Sequence, residues 1–328
     1  MATLVTGGAG YIGSHTAIEL LAANEGVIIL DNLQKGHKGA IKGGRFCPGD
    51  LRDDAFLDRV FKENSIEEVV HFAADSLVGE SVAEPLKYYN NNMVSTLRLL
   101  GKMKEYGVKR LVFSSTAATY GEPENIPILE TDRVFPTNPY GETKLAVENV
   151  LKWADSAYGI KYVSLRYFNA AGAHISGTIG EDHRPESHLI PIVLQAALGK
   201  REAVQIFGDD YETPDGSCVR DYIHVTDLAM AHILALKRLR SGGSSRIYNL
   251  GNGKGFSVKE VVELARKVTG VNIKEVITPR RAGDPAVLVA SSDRIRRELK
   301  WEPKHNDLAT IISTAWEWHR NHPEGYGD

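Results

Sequence analysis

The chain has 328 residues, more than a single hydrophobic core usually serves, so one large unit with a smaller lobe is the first expectation. Its formal net charge of -3 supplies no basic field for nucleic acid and no polybasic cluster for a membrane surface, so neither is an expected partner. The two cysteines, Cys47 and Cys218, cannot build a disulfide framework and form no CxxC pair, which fits a reducing cytoplasm.

The opening MATLVTGGAG reads as a first β-strand and not as a signal peptide, and no apolar run approaches the ~20 residues that span a bilayer. Continuous apolar runs follow at 3–6, 27–30, 69–72, 111–114 and 162–166, the pattern of parallel strands buried on both faces. Helix-length segments lie between them, as at 12–23 and 85–106. This alternation predicts a doubly wound α/β sheet. After Gly172 the pattern loosens, and HISGTIGEDHRPESH reads as a long loop. A later helix has a capping box of Ser257 and Glu260, an apolar face of Val261, Val262 and Leu264, and Gly270 as its C-terminal cap. These features divide the chain into a first domain, 1–172, and a second lobe, 173–328, with a segment at about 219–250 able to return to the first.

TLVTGGAGYIGSH places Gly7, Gly10 and Gly13 between a strand and a helix. The first permits a tight turn, the second lets the backbone approach a pyrophosphate, and the third lets helix and strand pack closely. Phosphates then meet the positive end of the helix dipole, where Tyr11 and Ile12 begin the helix. Asp31 ends the next apolar run, where a carboxylate binds ribose hydroxyls and repels a 2′-phosphate, so NAD is preferred to NADP. Asn32 beside it, Asp50 and Leu51 after the third strand, and Phe72, Ala73 and Ala74 after the fourth complete this part of the cofactor set. Ligands in open α/β sheets bind outside the carboxyl ends of the strands.

PYGETKLAVENVLKWA contains Tyr140 and Lys144, four residues apart and therefore on one helix face. An unperturbed tyrosine, with a pKa near ~10, is a poor base at neutral pH, and a nearby ammonium is expected to lower it. The phenolate then takes a proton from a substrate hydroxyl while hydride leaves the adjacent carbon, and Lys144 also holds the nicotinamide ribose. FSSTAATYG ends the fifth strand, with Ser114 as a cofactor candidate and Thr116 as the hydroxyl shared with substrate and Tyr140.

These residues, with DNL, GDLRD, HFAA, YYNNN, RYFNAAGA, GEDHRPESHLIP, FGDDY, CVRDYIHV, YNLGNG and PRRAGDP, resemble the extended short-chain dehydrogenase/reductase family over nearly the whole chain, and within it the nucleotide-sugar 4-epimerases. The resemblance implies a Rossmann-type doubly wound parallel sheet with a smaller C-terminal α/β lobe. It implies tightly held NAD, transient oxidation at C4, rotation of a 4-keto sugar and hydride return, interconverting UDP-glucose and UDP-galactose. By position it also implies that Asn91 and Phe168 contact the cofactor. Asn169, His188, Leu189, Phe207, Arg220, Arg281 and Asp284 are placed around the UDP-hexose. A homodimer through the helix near 92–106 and the helix carrying Tyr140 is implied as well.

Three positions depart from the family pattern. Ser76 replaces a common lysine on the cofactor phosphates, and His188 stands where asparagine is frequent. Leu288 replaces a tyrosine that limits bulk at C2 of the sugar, which opens the site to UDP-N-acetylglucosamine and its C4 epimer. A UDP-pentose 4-epimerase has the same chemistry. A 4,6-dehydratase needs an acid and a base where Ala117 and Ala118 stand, and a non-catalytic NAD-binding regulator has no use for Tyr140, Lys144 and Thr116 together. A metal site built on Asp182, His183 and His188 lacks regular ligand spacing, so the loop reads as polar chain and no metal is expected.

Overall fold

The computed structural model describes residues 2–281 and 284–327. Strands β1 (Ala2–Thr6), β2 (Gly26–Asp31), β3 (Arg45–Pro48), β4 (Ile66–His71), β5 (Arg110–Thr116) and β6 (Lys161–Tyr167) pair in parallel in the order β3-β2-β1-β4-β5-β6. The order reverses at β1, so a crevice opens between the carboxyl ends of β1 and β4. All five strand-like runs of the sequence are strands in this sheet, because each apolar run is covered on both faces.

Helix α1 (Tyr11–Ala22) follows β1, and α2 (Asp54–Glu63) follows β3. The predicted helix at 85–106 is present but not regular. Two short helices, α3 (Val78–Ala83) and α4 (Pro85–Tyr88), lead into a π-helical stretch at Tyr89–Val94 and then α5 (Ser95–Glu105). α6 (Pro139–Tyr158) starts on an Asn138 cap, whose side chain accepts from the Gly141 amide at 2.9 Å, and ends on Gly159 at φ +68°.

The remaining elements are β7 (Asn169–Ala171), α7 (Leu189–Ala197), β8 (Val204–Phe207), β9 (Val219–Arg220), β10 (Tyr222–His224), α8 (Val225–Arg240), β11 (Arg246–Leu250), β12 (Phe256–Ser257), α9 (Val258–Thr269), β13 (Glu275–Thr278), β14 (Val287–Leu288), α10 (Asp293–Leu299) and α11 (Leu308–Asn321). β11 pairs with β6 and makes the sheet seven-stranded. α8 lies beside α1, so Leu228, Leu236, Ile295 and Trp301 share a core with Val5, Ile29 and Val70. The opposite face buries Leu57, Leu99, Met103 and Leu151, from α2, α5 and α6. A third core joins α7, α9 and α11 through Val193, Val262 and Ile311. The capping box foreseen at Ser257 is formed in full, with Gly270 at φ +71° closing α9.

Candidate functional site

The glycine loop fills the crevice at β1. Gly7 has φ +69°, and a Cβ there would stand 2.6 Å from the Ala73 amide, so only glycine lets β1 turn against the end of β4. A Cβ on Gly13 would lie 2.1 Å from the Gly7 carbonyl. Gly10 is less crowded, because a Cβ there would meet the Gly7 carbonyl at 3.3 Å, a tight contact and not an overlap. Gly10 is also the N-cap of α1 and offers no side-chain acceptor, and no acidic residue occupies the first turn. The helix start therefore presents uncapped N–H groups, the donor set that suits a diphosphate. Tyr11 is buried and donates its hydroxyl to the Gly172 carbonyl at 2.6 Å, so its side chain is committed to the fold. Ile12 is half-buried beside it.

Asp31 stands at the end of β2, buried, and accepts from the amides of Ala9 at 2.9 Å and Leu33 at 2.8 Å. Burial pushes its carboxyl above the ordinary range, against the pull of those two amides. Asn32 is exposed and donates to Asp50 at 2.9 Å. The Arg52 side chain is paired with Asp50 and holds that carboxyl well below its usual value. Leu51 is buried, whereas Phe72, Ala73, Ala74, Asn91 and Phe168 are half-buried. The neighbour of Asn91 ties the wall together: Asn92 accepts from the Asp75 amide at 2.8 Å and donates to Thr143 at 3.1 Å. Ser76 is exposed.

Lys144, one turn beyond Tyr140 on α6, is buried and donates to the Ser114 carbonyl at 2.8 Å. The Ser114 hydroxyl is bonded to the Tyr167 phenol, so Ser114 acts through its backbone. The Thr116 hydroxyl caps the turn after β5 by accepting from the Ala118 amide at 3.1 Å, and it lies near the Tyr140 side chain. The protein alone does not lower the Tyr140 phenol as its sequence spacing suggests. Burial pushes it up, and the nearby Thr116 hydroxyl pulls only partly the other way. The Lys144 ammonium is 5.9 Å from the Tyr140 ring centroid and turned to the strand. Burial also brings Lys144 down to about 7, against the attraction of Glu148.

Behind the pair is a network that sequence spacing did not single out. Glu148 accepts from Ser115 at 2.6 Å and pairs with the Arg166 guanidinium, with both side chains buried. Arg166 donates to the Tyr120 hydroxyl at 3.0 Å, which donates to Asn249 at 2.6 Å. Glu148 is one turn past Lys144, so its helical position was the available signal.

The substrate candidates fall into three groups. Asn169, His188 and Leu189 line a small cavity of about 30 Å³ with Tyr222, and Asn169 donates to the Asp221 carbonyl at 2.9 Å. Arg220 and Leu288 are paired in register between β9 and β14, and the Arg220 guanidinium is ion-paired to Asp284. The exposed Arg281 stacks its guanidinium 3.8 Å from the Phe207 ring centroid.

The loop between β7 and α7 departs from its reading as plain polar chain. It is packed, with the Glu181 carbonyl bonded to the Trp318 indole at 3.2 Å, and it buries two carboxylates, Glu181 and Glu186. His183 and His188 meet Glu181 at 3.0 and 2.6 Å through Nδ1. The pairing with Glu181 lifts the half-buried His188 to about 9, against the pull of partial desolvation. Asp182 faces elsewhere and bonds Tyr326 and Arg184.

A parallel sheet that reverses at β1, a glycine loop at the reversal and a Tyr–Lys pair on α6 define a dinucleotide-dependent protein of the Rossmann class. Residues 3–251 match the model of the NAD dependent epimerase/dehydratase family, and the chain belongs to that family. It is 64% identical over 326 residues to the UDP-glucose 4-epimerase of Halalkalibacterium halodurans, covering 99% of this chain and 98% of that protein. A crystal structure of a UDP-glucose 4-epimerase matches with a TM-score of 0.98 at 56% identity, covering 99% of each chain. The Brucella ovis UDP-glucose 4-epimerase in complex with NAD matches with a TM-score of 0.94 at 46% identity, covering 96% of this chain and 97% of that one.

Proposed function

We propose that this chain interconverts UDP-glucose and UDP-galactose by NAD-dependent inversion at C4. One observation carries the reading. The Tyr140 phenol and the Thr116 hydroxyl come together at the carboxyl edge of β5, while the next two positions, Ala117 and Ala118, hold no group able to move a proton. That combination supports proton exchange at one hydroxyl and no elimination, which separates epimerase from dehydratase chemistry within the family.

The residues at the crevice fit NAD. Of the three spaced glycines Gly10, where a diphosphate would lie, is the least crowded, and Asp31 closes the ribose end. Bound NAD supplies a cationic nicotinamide that favours the phenolate, accepts hydride and, once reduced, returns it. Tyr140 takes the O4 proton and later gives it back. Thr116 holds the same oxygen in line, and Lys144, fixed by the Ser114 carbonyl, is available to the nicotinamide ribose. Glu148 and Arg166 keep α6 in register with β5 and β6.

On the other side, Arg220 and Arg281 are the cations for the UDP diphosphate, with Asp284 orienting Arg220. Asn169, His188 and Leu189 border the sugar, and Phe207 and Leu288 bound the rest of the pocket. Leu288 leaves room for an N-acetyl group, so UDP-N-acetyl sugars are included as substrates. We read 1–172, with α8 and β11 packed back onto it, as the cofactor unit and the rest of 173–328, Arg220 included, as the UDP-sugar lobe. Exposed Leu97 on α5 and Trp153 on α6 support a homodimer through those helices. No helix among the described residues is long and apolar enough to cross a membrane, and both thiols are free, which fits a cytoplasmic enzyme. The test is a coupled assay that detects UDP-glucose formed from UDP-galactose. Turnover supports the reading, and none at saturating substrate with NAD bound removes it.

A further inference from the structure

Glu181, His183, Glu186 and His188 each place one ligand atom so that all four lie within 4.8 Å of one another. We propose that these four side chains bind a divalent transition-metal ion of the zinc type. Tetrahedral zinc with nitrogen and oxygen ligands at about 2.0–2.2 Å sets its ligand atoms about 3.3 Å apart. The distances present bracket that edge: 2.6 and 3.0 Å from Glu181 to His188 and His183, and 3.6 and 4.0 Å from Glu186 to the same two nitrogens. The two Glu186 distances run to different oxygens, and the four ligand atoms lie within 4.8 Å of one another, so side-chain adjustments of up to about 1.5 Å complete a tetrahedron of that size. Two imidazoles with two carboxylates favour zinc over magnesium or calcium, which take all-oxygen shells.

The surroundings agree with a site and not with a solvated cluster. The Glu181 and Glu186 side chains are only 3% and 4% exposed, and their ion pairs among the described residues are with these two histidines alone. A cavity of about 480 Å³ opens onto Glu181, His183 and Glu186, so an ion has a route in. His319 lines the same cavity, and its Nε2 has no hydrogen-bond partner among the described residues. Tyr11 of the glycine loop meets the His183 ring edge-on at 6.1 Å between centroids. The metal therefore braces the loop between β7 and α7 against the start of α1. Coordination through Nδ1 also orients the His188 ring towards the small cavity it shares with Asn169. This last role rests on the UDP-sugar reading, whereas metal binding does not.

The test uses the full-length protein, stripped with a chelator, dialysed and titrated with Zn²⁺ and Co²⁺, in wild type, His183→Ala and Glu186→Gln. The expected result is one zinc per chain, the intense visible absorption of tetrahedral Co²⁺, and unchanged far-ultraviolet circular dichroism. Loss of an outer-shell partner alone costs about 10–100-fold in affinity, so each variant, having lost a ligand, should bind zinc at least about 100-fold more weakly. Failure of wild type to take up a stoichiometric ion overturns the site, as does unchanged affinity in both variants. Should zinc bind as expected while chelation leaves the KM for the UDP-sugar unchanged, the orientation of His188 is overturned and the metal site stands.

Discussion

The two sides of the crevice are built by different means. On the proposed cofactor side the candidate groups are largely backbone: glycine positions, the open start of α1 and the Ser114 carbonyl that fixes Lys144. On the proposed substrate side the candidates are long side chains, Arg220 ion-paired to Asp284 and Arg281 stacked on Phe207. A backbone site tolerates little change, since a single added carbon meets main chain. A side-chain site re-forms around a different ligand when one residue changes. The same fold can therefore keep one cofactor and vary its sugar.

The largest effect expected is at the junction of the two sides. Tyr140→Phe keeps the ring packing and removes the proton acceptor, so kcat in the coupled assay should fall by about 10²–10⁴ while NAD content is unchanged. A variant that turns over at the wild-type rate would dissolve the junction. Next is Gly13→Ala, whose methyl group would stand 2.1 Å from the Gly7 carbonyl. It should cost about 3 kcal/mol or more of stability and empty the cofactor site, whereas Gly10→Ala, with a tight contact of 3.3 Å to the Gly7 carbonyl in place of an overlap, should lose less stability and bind NAD more weakly. Thermal unfolding and NAD content measured on both variants decide this, and equal stability of the two would remove the distinction drawn between those glycines.

Arg220→Ala should raise the KM for UDP-galactose by roughly 10- to 150-fold, the value of a lost charged hydrogen bond of about 1.5–3 kcal/mol, with NAD binding untouched. A matching loss of NAD would show that the two sides are not separable. The smallest effect is expected at Leu288→Tyr, which should leave turnover of UDP-galactose within about threefold. It should also lower kcat/KM for UDP-N-acetylgalactosamine by about 10- to 200-fold, as a pocket does when it excludes a small group. Equal activity of both proteins on the N-acetyl sugar would remove Leu288 from specificity.

The sequence made the cofactor side more legible than the rest, for a physical reason. Close approach of β1, α1 and β4 forces Gly7 and Gly13, so steric necessity is written as spacing, and helical periodicity puts Tyr140 and Lys144 on one face. Arg220 and Asp284 lie 64 residues apart, joined by a strand register that no local pattern encodes, and they were reached only through resemblance. The sequence offered His183 and His188 with Asp182, which faces elsewhere, and missed Glu181 and Glu186 because a loop has no period to read; burial under Trp318 and against Tyr11 brings the four together. The Tyr140 environment was misjudged for a related reason. Spacing counts Lys144 as a neighbour, but the Ser114 carbonyl holds its ammonium against β5.

The most direct test follows a label at the reacting carbon. UDP-galactose deuterated at C4 is incubated with the enzyme in ordinary water, and the product is analysed by mass and proton spectra. Hydride departure and return within one closed site predict UDP-glucose that retains the C4 deuterium, with no solvent hydrogen at that carbon. Deuterium lost to water would mean that C4 exchanges as a proton, and would contradict the account of Tyr140 as the base for O4 beside a hydride acceptor.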